Sequence, residues 1–289
     1  MKKIRTIAVL PTLFTLGNLV CGFFAIVVAS RVDRPQSPEA PTAQHISFQG
    51  PIGLAGFDPT DPTHNAMLSG WLIFLAMIFD ALDGHVARLA RTSSDFGAEL
   101  DSLCDVISFG VAPGFLLVKM CPSLTYWHPE AIWIIAAAVP VCAALRLARF
   151  NVETSESDEH LQFSGLPSPA AAGSIAGFAI LFYTLRQETN SLASIQQIDS
   201  IMEVWVCVLA LAVAALMVSR IPYPHVVNQV FRGQRSFGHI VAVVFALVAI
   251  MVIRAYSIPI LCTLFVLGPP VRFLWQRVQQ RSAESEPMF

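Results

Sequence analysis

An all-α bundle of membrane-spanning helices, about eight spans, is the fold class that this 289-residue chain predicts. Two observations carry the expectation. Charged residues are 13% of the chain, well under the ~25% usual in soluble domains. Hydrophobic residues are 55%, and they gather in runs near the ~20 residues that a bilayer requires. The net charge of −2, with no basic stripe of interleaved aromatics, offers nothing to nucleic acid. The six cysteines (Cys21, Cys104, Cys121, Cys142, Cys207 and Cys262) follow no metal-ligand spacing and read as small apolar core residues.

The first span follows the basic start Met1-Lys2-Lys3-Ile4-Arg5 and runs to about Ser30. It outlasts the apolar region of a signal peptide, and Pro11, Thr15, Gly17 and Asn18 are foreign to one. Asn18 inside a membrane helix is either an interhelical hydrogen-bonder or a site residue. Residues 31–66 are expected to be a loop insertion, because six prolines and three glycines leave little room for regular structure. His45, Asp58, Asp61 and His64 within it match no metal-ligand spacing. Further spans are expected at about 67–91, 97–121, 130–150, 166–186, 201–220, 237–254 and 256–276, with 277–289 as a short tail. The whole chain, 1–289, reads as one integral-membrane domain.

With eight spans both termini share a side. That side would hold thirteen of the eighteen lysines and arginines, against five on the other. By the positive-inside rule the termini are then cytoplasmic and the loop at 31–66 is not. A cell-membrane protein with its site toward the cytoplasm is the resulting expectation.

The chemistry gathers between Asp80 and Asp105. Asp80 and Asp83 are three residues apart and Asp101 and Asp105 four, so each pair shares a helix face. Four unpaired intramembrane carboxylates would cost roughly 10–14 kcal/mol at about 2.5–3.5 kcal/mol each. Arg88 alone supplies one charge against four. Clustered carboxylates that need positive charge, close to water, describe a site for divalent cations with oxygen ligands. A short loop from Thr92 to Phe96 would bring the pairs together, and Gly84, Ala87 and Gly97 are small enough for close approach. Two ions held this way suit displacement at phosphorus, with a free carboxylate oxygen as base toward an alcohol.

The complete spacing, Asp80-x2-Asp83-Gly84-x2-Ala87-Arg88-x8-Gly97-x3-Asp101-x3-Asp105, resembles the signature of the CDP-alcohol phosphotransferases. Asp101-Ser-Leu-Cys-Asp-Val-Ile-Ser-Phe-Gly-Val-Ala-Pro113 is similar to the phosphatidylserine synthase branch. So are the stretches Pro11 to Gly22, Leu145 to Asn151, Gly165-Leu-Pro-Ser-Pro169 and Ser219-Arg-Ile-Pro-Tyr-Pro224. The resemblance implies transfer of a phosphatidyl group from CDP-diacylglycerol to L-serine, with Mg²⁺ or Mn²⁺, two ions, in a homodimer. It makes Asp80, Asp83, Asp101 and Asp105 metal ligands, with Asp105 also the base. It puts Gly84, Ala87, Arg88 and Gly97 around the CDP moiety, with Thr15 and Asn18 approaching from the first helix.

Arg146, Arg149 and Asn151, at the expected cytoplasmic end of one helix, are either positive-inside anchors or the acceptor-binding group. Two arginines at i and i+3 beside an Asn favour the second, since guanidinium recognises carboxylate or phosphate bidentately. A phosphate-bearing acceptor such as glycerol 3-phosphate or an inositol phosphate would also want two arginines and stays open at this point. Two further readings compete. Intramembrane prenyltransferases carry a third aspartate where this chain has Ala87, and their second motif lies far downstream. A cation transporter would place its carboxylates at mid-span and pair the two halves of the chain by a repeat, and no repeat is evident.

Overall fold

The computed structural model describes residues 9–32, 62–90, 95–156, 165–188, 192–223 and 256–284. In order the chain forms α1 (Val9–Ser30), α2 (Pro62–Ala90), α3 (Asp95–Asp105), a π-helical segment (Val106–Val111), α4 (Ala112–Met120) and α5 (Pro122–Trp127). Then come α6 (Pro129–Glu156), α7 (Ser168–Glu188), α8 (Leu192–Val218) and α9 (Ser257–Glu284). No β-strand occurs among the described residues.

Six stretches are long and apolar enough to cross a membrane: Pro11–Ser30, His64–Val86, Phe96–Met120, Pro129–Val152, Ser168–Leu185 and Gln197–Val218. These match six of the eight expected spans. The expected span at 237–254 lies outside the described residues. The one expected at 256–276 falls on α9, whose apolar part, Ser257–Phe273, is a shorter helix.

Element ends differ from the sequence expectation for identifiable reasons. α2 begins at Pro62 rather than 67, because proline has the helical φ and needs no acceptor in a first turn. The expected loop therefore ends before His64. α3 begins at Asp95, so Asp95 and Phe96 are helical and not part of a loop from Thr92 to Phe96. α6 runs on to Glu156 and α8 starts at Leu192, beyond their apolar runs, since helical hydrogen bonds form equally well in polar turns.

The third span is one path through α3, the π-helical segment and α4. Pro113 sits at the second position of α4, where it has no N–H to donate. The turns just before it widen into the π-helix, a device that shifts the phase of every residue beyond it. This span is the centre of the bundle: Phe109, Leu116 and Leu117 are fully buried. α1 packs along α2, α7 against α2 and α9, and α6 against α8, the π-helical segment and α4. Trp71, Leu75, Ile134 and Val208 face outward, as lipid-contacting residues would. Tyr126 and Trp127 are exposed on α5, the amphipathic aromatics that favour a membrane–water boundary. Beside them the buried Glu203 carboxylate accepts the backbone N–H groups of Ser123 (3.3 Å) and Leu124 (3.1 Å). That satisfies two donors at the start of α5 that the helix itself cannot.

At the opposite end a backbone clasp joins the entry to α7 with the exit from α8. Gly165 donates to the Ile221 carbonyl (2.9 Å) and Leu166 to that of Leu216 (3.0 Å). Gly165 has φ +95°, and a Cβ there would overlap the Met217 carbonyl oxygen and lie 3.0 Å from that of Ser219. Left-handed backbone and crowding both forbid a side chain. Gly165→Ala should therefore lower the thermal unfolding midpoint by several degrees. An unchanged midpoint would show that the clasp adds nothing to stability.

Candidate active site

The carboxylates come from two helices that meet near their joined ends. α2 carries Asp80 and Asp83, and α3 ends in Asp101 and Asp105. Asp80, Asp101 and Asp105 each bring one oxygen within 4.8 Å of the others. Asp83 stands beside this trio, close enough to Asp101 for their charges to interact, with the Thr15 hydroxyl against its carboxylate. The same hydroxyl donates to the Pro11 carbonyl at 3.1 Å. Asp83 and Asp105 are 5% and 7% exposed, so water screens their repulsion poorly.

Two of these oxygens, Asp83 Oδ2 and Asp101 Oδ1, are buried with no hydrogen-bond partner among the described residues. A buried unsatisfied acceptor costs about 1–3 kcal/mol, more when charged. Orphaned hard oxygens in an anionic cluster fit a small divalent cation.

α1 closes one side of the cluster. Asn18, fully buried, donates from Nδ2 to Asp105 Oδ1 at 3.0 Å. α6 closes the other. Arg146 lies near enough to Asp105 for their charges to attract. Its NH1 group donates to Ser168 Oγ at 3.3 Å, and its buried Nε has no partner among the described residues. Arg149 instead donates to the carbonyls of Val218 (3.2 Å) and Ser219 (3.5 Å), the open end of α8. Asn151 Nδ2 donates to Ser102 Oγ at 3.1 Å, tying α6 to α3 between the two aspartates of that helix.

The structure thus brings Asn18, Thr15, Asp80, Asp83, Asp101, Asp105 and Arg146 together. Gly84 lies in α2 next to Asp83, and Gly97 in α3 one turn before Asp101. Ala87 and Arg88 continue the last turns of α2, and their side chains lie outside the described residues.

A model of the CDP-alcohol phosphatidyltransferases matches residues 8–217. The chain belongs to that family. The match takes in α1 to α7 and all of α8 but its last residue, Val218. A CDP-diacylglycerol–serine O-phosphatidyltransferase of Methanocaldococcus jannaschii is 39% identical over 191 residues, 65% of this chain and 81% of the relative. An archaetidylserine synthase of Methanothermobacter thermautotrophicus is 30% identical over 228 residues, 78% of this chain and 73% of the relative. A CDP-diacylglycerol–serine O-phosphatidyltransferase of Helicobacter pylori is 42% identical over 110 residues, 38% of this chain and 45% of the relative.

Sequence reasoning passed over the serines that hold this phosphatidyltransferase site. Ser102 receives Asn151, Ser108 bonds the Asn18 carbonyl (3.0 Å) and Ser168 receives Arg146. Each stands inside a quoted motif, at 101–113 or at 165–169. The signal was a polar residue in an apolar run with no role assigned to it.

Proposed function

We propose that the chain transfers the phosphatidyl group of CDP-diacylglycerol to the hydroxyl of L-serine, giving phosphatidylserine and CMP. The trio of aspartate oxygens within 4.8 Å of one another, with Arg146 near enough to feel the Asp105 charge and its buried Nε without a partner among the described residues, supports this reading most. The serine oxygen forms a bond to the lipid-linked phosphorus as the bond from that phosphorus to CMP breaks. The hydroxyl proton passes to Asp105, whose Oδ1 already accepts from Asn18, so its second oxygen is the basic one. Mg²⁺ or Mn²⁺, two ions held by Asp80, Asp83, Asp101 and Asp105, would supply positive charge against the diphosphate and the departing CMP. Gly84, Ala87, Arg88 and Gly97 lie along the approach of the CDP moiety in this reading, with Thr15 on the α1 side.

The acceptor follows from how the arginines are used. A phosphate acceptor would be best served by two guanidinium groups. Arg149 is engaged with the end of α8, and Arg146 keeps a buried N–H for an incoming group. One cation near a carboxylate base suits serine, which brings a carboxylate and an ammonium, better than glycerol 3-phosphate. Arg146→Ala should raise KM for serine by about tenfold or more, the scale of a lost charged hydrogen bond, and leave KM for CDP-diacylglycerol near its starting value. Equal rises in both would remove Arg146 from the acceptor site.

We further propose eight spans on the lengths of the apolar runs, a site at the cytoplasmic face of the cell membrane on the charge asymmetry of the loops, and a homodimer on the family resemblance. Purified protein supplied with Mn²⁺, CDP-diacylglycerol and radiolabelled serine should give lipid-soluble label and CMP in equal amounts, and neither after chelation. Metal-independent release, or ion transport with no CMP formed, would overturn the reaction.

A further inference from the structure

A close approach between α1 and the third span lies about one turn from Asn18 and Asp105. A Cβ on Gly22 would overlap Ser108 Oγ and lie 2.7 Å from Ser108 Cα. The second atom is backbone, so no rotamer change relieves the clash. At the same contact the Ser108 hydroxyl donates to the Asn18 carbonyl at 3.0 Å, and both residues are fully buried. Asn18 is four residues before Gly22, and its carboxamide holds Asp105 Oδ1 at 3.0 Å. Ser108 is three residues past Asp105, inside the π-helical segment that starts at Val106. The third span and α1 are thus fixed together at one point, and each carries one partner of the Asn18–Asp105 bond.

We propose that Gly22 and Ser108 are positioning residues for Asp105, acting through Asn18. Neither reaches the carboxylate cluster in any contact described. Gly22 sets the separation of α1 from the π-helical segment, and Ser108 sets the register of α1 along it. With both in place, Asn18 occupies one oxygen of Asp105 and leaves the other aimed at the reaction. The widened turn after Asp105 has a use in this scheme. It shifts the phase of the residues beyond it, and Ser108 faces α1 within it.

The inference rests on the proposed reaction, and its test separates the two. Full-length Gly22→Ala protein in lipid nanodiscs should lose turnover by about 10²-fold, as small misplacements of a reacting group do. KM for serine and for CDP-diacylglycerol should stay within about twofold, and Mn²⁺ binding followed by EPR should be kept. The deciding measurement is a double-mutant cycle: in an Asn18→Ala background, Gly22→Ala should cost almost nothing further. Should Gly22→Ala fail to fold, Ser108→Ala adds no bulk and should lower kcat by roughly tenfold with both KM values unchanged. Additive losses, unchanged kcat in a folded variant, or a fall confined to KM would overturn the inference. Wild-type protein that releases no CMP would overturn the proposed reaction, and this inference with it.

Discussion

Asp101→Asn should abolish turnover, by more than the 10–100-fold typical of second-shell changes, and should weaken Mn²⁺ binding measured by EPR or calorimetry. Asp101 contributes one of the three converging oxygens, and its Oδ1 is buried with no partner among the described residues. A carboxamide in its place offers one neutral oxygen and turns N–H donors toward the cation. Insertion should survive, because the substitution removes a charge from an apolar bundle. Metal-free protein should even unfold at a higher temperature, since one of four mutually repelling carboxylates is gone. Near wild-type turnover at saturating Mn²⁺ would break the shared-site reading.

Asp105→Asn carries the second large effect. Its turnover should fall by about 10²-fold or more, the range expected for a lost general base, with KM for CDP-diacylglycerol largely kept. The substitution is informative because the Asn18 contact survives it. An asparagine oxygen still accepts the Nδ2 donor that now bonds Asp105 Oδ1, so what changes is the other position, which loses its basicity and its anionic, cation-facing oxygen. A fall in CDP-lipid affinity equal to the fall in rate would reduce Asp105 to a simple ligand.

The bundle was legible wherever a run of apolar residues was long enough to span. The six described spans follow from composition and length alone. The Asp80–Asp105 cluster was legible because charge inside such a run demands a reason. Other features depended on information that spacing does not hold. A 3.6-residue period cannot show that the chain ahead of Pro113 widens into a π-helix, so the pairing of Ser108 with α1 was hidden. Spacing put Arg146 and Arg149 on one face as equals. The structure divides them, because the carbonyls ending α8 lie within reach of Arg149 alone of the two in the contacts described. Asp80 and Asp83 likewise looked equivalent, yet Asp80 joins the close trio and Asp83 stands beside it. The start of α2 at Pro62 was obscured by a proline-rich approach whose last member is itself a good first helical residue.

The central claim is that this aspartate cluster, with Arg146 proposed to face the acceptor, acts on serine. The most direct measurement offers purified full-length protein CDP-diacylglycerol and Mn²⁺ with one acceptor at a time: serine, ethanolamine, glycerol 3-phosphate, inositol phosphate or choline. Serine should enter lipid with equimolar CMP. Ethanolamine, which lacks only the carboxylate, should be slower by a factor approaching 10⁴, as expected where a polar pocket is left unpaired. Incorporation of glycerol 3-phosphate or inositol phosphate with serine excluded would contradict the account.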